Sequence, residues 1–285
     1  MNILVVGAGF SGAVIARELA EEGHKVHVIE SRDHVAGNAY DYVNEYGIRV
    51  HQYGPHLFHT SNQKVFSWLS KFTEWTPYRH KVKAQLDNGQ YVTLPVNKET
   101  KEIVGEENVL DIFFRPYTRK MWDKELDDLN PDIVNRVPIR DDMNEDYFPN
   151  DEYQYMPKEG YTKLVENILS HENITVTLNQ SYEHSDYDKY DHIFNSMPID
   201  TYFDYQYGRL PYRSIKFNTV TLPQARVLPT TTVNFTHTGP NTRVTEWKNI
   251  PGHGTNEQVT HFHKMLQMNK IDVFCNSTLN FNTYF

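Results

Sequence analysis

The chain has 285 residues, which at roughly 150 residues per domain suits one large or two modest domains and is ample for a buried core. Lys and Arg number 28 against 37 Asp and Glu, and the resulting charge of −9 argues against a nucleic-acid binder, whose affinity rests on excess cations facing phosphates. The only cysteine is Cys275, which excludes a disulfide framework and a cysteine-based zinc site. No apolar run reaches the ~18 residues of a membrane span. The strand-like opening, Asn2-Ile3-Leu4-Val5-Val6, argues against a secretory leader.

In chain order, residues 2–30 read as strand, tight turn, helix and strand. The apolar run Ile3–Val6 suits a central parallel strand covered on both faces. From Ser11 to Glu22 the apolar residues fall at helical spacing, and Gly23 ends the helix. Lys25–Glu30 is the second strand. Residues 48–60 give a short strand and a Gly-Pro turn among histidines, followed by helical patterns over 62–72 and 107–122. Asn88-Gly89 lies between alternating residues, a hairpin signal over 85–95. The Asp-, Asn- and Pro-rich stretch 127–157 is predicted to be mostly loop. A helix over 161–170 and strands over 173–178 and 191–196 return to the first sheet, and 205–247 is β-like. There is no internal repeat or low-complexity linker.

Gly7-Ala8-Gly9-Phe10-Ser11-Gly12 fits G-x-G-x-x-G, follows a strand and opens a helix, and acidic Glu30 ends the next strand. Gly7 permits the tight turn, Gly9 lets backbone approach a pyrophosphate, and Gly12 lets helix and strand pack closely. The helix N-terminus then faces negative charge, and Glu30 would accept from a ribose hydroxyl. This pattern indicates FAD or NAD without choosing between them; a glycine turn that binds nothing is the alternative. His51, His56 and His59 cluster nearby. They read as ordinary loop histidines, as a turn presenting donors to a cofactor ring, or, least in keeping with their spacing, as metal ligands.

The strings ILVVGAGFSGAVIARELAEEGHKVHVIESRDH, YGPHLFHT, FFRPYTRKMW, NRVPIR, MPKEGYT, FNSMPID, YGRLPYR and NTRVTEW, in this order, resemble the flavoprotein UDP-galactopyranose mutase family over residues 2 to about 254. The resemblance implies an α/β fold: a Rossmann-like FAD-binding domain of the glutathione-reductase type (1–76 and 151–204), a small helical domain (97–150) and an antiparallel sheet domain (77–96 and 205–254). It also implies interconversion of UDP-galactopyranose and UDP-galactofuranose without net redox change, through a reduced-flavin N5–sugar adduct. The cofactor, not a side chain, is then the nucleophile. A cytoplasmic enzyme acting on a UDP-galactose-type nucleotide sugar, with room for a homodimer, follows from the same resemblance.

Carried over residue by residue, Gly7, Gly9, Phe10, Ser11, Gly12 and Glu30 take the dinucleotide, with Arg32 and Asn38 lining it. His56 and His59 fall at flavin-facing histidines. Tyr117 with Phe113 matches the uracil site, Trp122 the tryptophan under the sugar, and Arg136 a mobile-loop arginine over the diphosphate. Tyr147, Arg209 and Arg243 match diphosphate contacts, and Asn234 faces the sugar. His56, His59, Arg136 and Arg243 form the catalytic set. Arginine forks and stacking rings are what a nucleotide diphosphate requires; each alone reads as a surface ion pair or core packing.

Three departures stand out. Ala36 and Asp123 occupy positions where the family usually has glycine, and residues 255–285 read as an atypical tail, as after a frameshift or early stop. An inactive, truncated homologue and a generic FAD oxidoreductase are therefore the competing expectations.

Overall fold

A computed structural model describes residues 1–129, 138–210, 214–237 and 239–267. Strands β1 (Asn2–Val6) and β2 (Lys25–Ile29) flank helix α1 (Phe10–Glu21). Hairpin strands β3 (Asp41–Val43) and β4 (Arg49–His51) follow, then β5 (Phe58–Thr60), α2 (Gln63–Leu69) and β6 (Trp75–Pro77). Next come β7 (Val82–Gln85), β8 (Tyr91–Leu94), α3 (Lys98–Val104) and α4 (Arg115–Trp122). Strand β9 (Tyr153–Pro157) leads to α5 (Tyr161–Leu169), β10 (Ile174–Thr177), β11 (His192–Asn195) and α6 (Ile199–Tyr202). The chain then forms β12 (Ile215–Leu222), β13 (Thr232–Phe235), β14 (Asn241–Glu246) and β15 (Thr260–Gln267).

A parallel sheet in the order β10-β2-β1-β11 forms the Rossmann-like unit. Its Ile3, Val5, Val26 and Val28 pack against Ala13, Ala16 and Ala20 of α1 and Leu164, Val165 and Ile168 of α5 in one buried cluster. Alanines on α1 bring helix and strands close. Asp41, 2% exposed, accepts the N–H groups of Tyr161 (2.9 Å) and Thr162 (3.0 Å), fixing the start of α5, which has no side-chain cap of its own.

The second sheet runs β12-β15-β14-β13-β7-β8. It is mixed, not antiparallel as expected: β7 and β13 pair in parallel, Val82 opposite Thr232. The two strands come from distant parts of the chain joined by a long crossover, and a parallel pair requires one. The expected tail contributes β15, an inner strand paired with β12 on one side and β14 on the other. Phe262, which packs with Val233 and Val244, and Met265, which packs with Met121 and Ile215, are each 6% exposed, so the strand is packed on both faces. Within the expected loop 127–157, β9 bridges β5 and β6, where Phe66 stacks on Tyr153 (4.3 Å) and Phe58 on Trp75 (4.7 Å). Over 107–122, a 3-10 turn and a π-helical turn at Leu110–Phe114 precede α4.

Candidate functional site

A cavity of about 910 Å³ reaches from the carboxyl ends of β1 and β2 to one face of the mixed sheet. Gly7, Gly9, Phe10, Ser11, Glu30, Arg32 and Asn38 line it with His56, His59, Tyr147, Asn234 and Arg243.

At the glycine end, Gly7 adopts φ +101° and donates its N–H to Ile29 O at 2.8 Å. A Cβ on Gly12 would lie 1.9 Å from Gly7 O, so only glycine allows this helix–strand approach. Gly9 caps α1 without any side-chain bond, leaving first-turn N–H groups to an anion in the cavity. Glu30, 7% exposed, accepts the N–H groups of Ala8 and Arg32, each at 2.9 Å, and so ties the turn to the second strand. A carboxylate has further lone pairs for a ribose hydroxyl. Arg32 donates to Asn38 Oδ1 at 3.0 Å and lies 4.6 Å over the Tyr53 ring; its Nη1 is buried without a partner among the described residues. Ala36 takes φ +70° and Asp123 takes φ +54°, so both stand in the left-handed region that glycine enters without strain.

Behind the histidine turn, His51 Nδ1 accepts the N–H of His56 at 3.1 Å, and its Nε2 lies 2.9 Å from His253 Nε2. Burial lowers both rings, His51 well below the ordinary value and His253 to about 4, so the pair is neutral. His56 Nδ1 bonds Gly54 O at 2.9 Å, and burial lowers this ring too. His59 Nδ1 lies 2.6 Å from Asp151, and its ring stacks on Phe148 at 3.5 Å. Asp151 thereby fixes which imidazole nitrogen remains for other partners.

At the sheet end, Asn234 on β13 stands opposite Arg243 on β14. Arg243 Nη2 donates to the Tyr117 hydroxyl, while its Nε and Asn234 Oδ1 are buried without partners among the described residues. Such atoms are costly to leave unpaired and suit a polar ligand.

A family profile described as UDP-galactopyranose mutase matches residues 112–273, and one described as an NAD(P)-binding Rossmann-like domain matches 5–72. A Klebsiella pneumoniae protein named probable UDP-galactopyranose mutase is 37% identical over 284 aligned residues, covering 87% of this chain and 73% of the relative. The chain belongs to the UDP-galactopyranose mutase family. An Escherichia coli dTDP-fucopyranose mutase is 34% identical, covering 76% of this chain and 68% of that protein. A crystal structure of reduced UDP-galactopyranose mutase shares the fold, with a TM-score of 0.74 at 17% identity over 99% of this chain and 76% of that one. The Rossmann-like unit, together with 51% identity over 39 residues (14% of this chain, 9% of that protein) to a Mycobacterium tuberculosis protein named putative flavin-containing monoamine oxidase, points to a flavin cofactor. The profile reaches residue 273, which overturns the expectation that family resemblance ends near Gly254. Within that stretch Thr260–Gln267 form β15, seated between β12 and β14.

The fold does not bring every expected residue to the cavity wall. Gly12 is packed inside α1 against Gly7. Phe113 is 7% exposed in a core with Ala84, Val92, Val96 and Val109. Trp122 packs against Tyr53, Met121, Ile215 and Met265. Tyr117 reaches the cavity through its bond to Arg243, and exposed Arg209 lies 3.8 Å over the Tyr205 ring. Arg136 lies outside the described residues.

Conversely, His80, Thr232 and Phe148 line the cavity and carry no motif. Burial, with Arg243 and His59 adding to it, lowers His80 to about 3, so its ring is neutral. Thr232 was within reach of sequence reasoning: it stands two residues before Asn234, on the same strand face.

Proposed function

We propose that this chain interconverts UDP-galactopyranose and UDP-galactofuranose at a bound FAD used in its reduced form. The carrying observation is continuity: one cavity holds an uncapped helix N-terminus at one end and Arg243, Asn234, His80 and Tyr147 at the other. FAD fits the first end. The α1 N-terminus meets a pyrophosphate, Glu30 a ribose, and the unpaired Nη1 of Arg32 an oxygen of the cofactor.

When bound and reduced, a flavin supplies a nucleophilic nitrogen for the anomeric carbon as UDP departs. The chain's own residues position and stabilise. Arg243 places fixed positive charge toward the diphosphate, where charge builds as the sugar–phosphate bond breaks, and Tyr117 holds that guanidinium in place. Tyr147 and Asn234 complete the wall around diphosphate and sugar. His56 and His59 flank the cofactor ring, His56 held by Gly54 and His51, His59 by Asp151. By the family motif Arg136 is a further diphosphate arginine and Tyr117 borders the uracil; Phe113, Trp122 and Arg209, which the fold sets away from the cavity wall, take no part in this reading. The reading places the enzyme in the cytoplasm; among the described residues no helix is long and apolar enough to cross a membrane.

The test is direct. Purified protein is expected to be yellow, to release FAD identified by mass, and, once reduced with dithionite, to convert UDP-galactofuranose to the pyranose. Reduced, FAD-loaded protein without turnover would sink the activity and leave an inactive homologue. Amine-dependent oxygen consumption would indicate an oxidoreductase instead.

A further inference from the structure

We propose that Tyr78, braced by Thr231, is a positioning residue that keeps the His80 proton on Nδ1 and presents a bare Nε2 acceptor to a sugar hydroxyl in the cavity. The identity of that hydroxyl rests on the function proposed above; the rest stands on geometry. The Tyr78 hydroxyl donates to Thr231 Oγ1 at 2.6 Å and lies 2.9 Å from His80 Nδ1. A phenol has one proton. With it directed to Thr231, Tyr78 can only accept from His80, so Nδ1 carries the ring proton and Nε2 a lone pair.

His80 is 5% exposed and lines the cavity, and among the described residues its Nε2 has no hydrogen-bond partner. Its backbone is held as well: the Tyr147 N–H donates to His80 O at 2.7 Å, and the Tyr78 N–H donates to Gln154 O at 3.1 Å. The rings of Tyr147 (5.6 Å) and Phe148 (6.3 Å) pack alongside. The charged and titratable groups facing it are Arg243 and His59, and neither favours a second proton on the ring. Burial pushes Tyr78 up to about 12, so the relay stays a phenol at neutral pH. An acceptor thus stands near Arg243, which can only donate. That pairing selects a ligand offering a hydroxyl proton and an acceptor oxygen together.

The test uses the flavin-bound protein labelled with ¹⁵N-histidine, with the His80 signal assigned by its loss in His80→Gln. Wild type is expected to show the Nδ1–H tautomer at neutral pH. Thr231→Val frees the phenol to donate to Nδ1 and is expected to move His80 to the Nε2–H form; Tyr78→Phe is expected to give a mixture. In kinetics, Tyr78→Phe is expected to lower kcat/KM about tenfold with UDP affinity unchanged. Tyr78→Phe/His80→Gln is expected to fall no lower than His80→Gln alone. An Nε2–H tautomer in wild type, an unchanged tautomer in both variants, or additive losses would overturn the assignment. If the tautomers respond as expected while wild type converts no UDP-sugar, the relay stands and the proposed function fails.

Discussion

At the glycine end of the cavity the turn, the helix N-terminus and the carboxylate come from one β1–α1–β2 stretch, with Gln180 and Ser196 added beside it, whereas the sheet end gathers Val82, Thr232, Asn234 and Arg243 from three strands. The first end works through backbone: a turn, an open helix N-terminus and a carboxylate tied to two N–H groups. The second works through side chains whose neighbours come from far along the chain, such as Tyr117 on Arg243. At the glycine end, fold and binding are the same feature. At the sheet end they are separable, because the strands pair through backbone whatever side chain faces the cavity.

That separation predicts different failures. Gly12→Val has the largest expected effect: its Cβ meets Gly7 O, so the turn must shift, stability falls by about 3 kcal/mol and flavin content falls with it. Thermal unfolding and the flavin absorbance of purified protein measure both; full flavin content in that variant would break the comparison. Arg243→Met is expected to keep the flavin and lose about 100-fold in turnover. Steady-state kinetics beside the flavin spectrum decide it.

Ala36→Gly sharpens the point in the opposite direction. It relieves a left-handed alanine, and stability should rise by about 1 kcal/mol, read as a higher midpoint in urea. The smallest effect concerns the loop that carries Tyr147. Hydrogen bonds from Lys81 and Lys83 hold Glu145 at about 2, below the ordinary carboxylate value. A folded-state value below the unfolded one stabilises above about pH 4 and is lost as pH falls toward 2. Glu145→Gln is therefore expected to cost under ~1 kcal/mol at neutral pH, with the difference from wild type vanishing near pH 2 in acid-unfolding curves.

Much of the first region was legible because its rules are local. G-x-G-x-x-G with a following acidic residue specifies a turn by spacing, and the turn is where those residues lie. Long-range pairing hid the parallel β7–β13 contact, the bridging strand β9 and the inner position of β15. Tyr153–Pro157 looked like loop because its flanks are rich in Asp, Asn and Pro, yet aromatic stacking on Phe66 and two partner strands hold it extended. His80 had no motif because its role comes from Tyr78, Thr231 and Arg243, of which only Tyr78 is near it in sequence.

By itself the sequence determined the class of fold, the dinucleotide turn and the family, since ordered motifs and hydrophobic period survive without knowledge of contacts. Only the tertiary structure decided which residues share the cavity. It set Phe113 and Trp122 in cores and brought His80 and Thr232 to the wall. It also set residues 260–267 of the expected tail as the strand between β12 and β14. The physical reason is that burial and pairing depend on partners distant in the chain, and a sequence read along its length does not contain those distances.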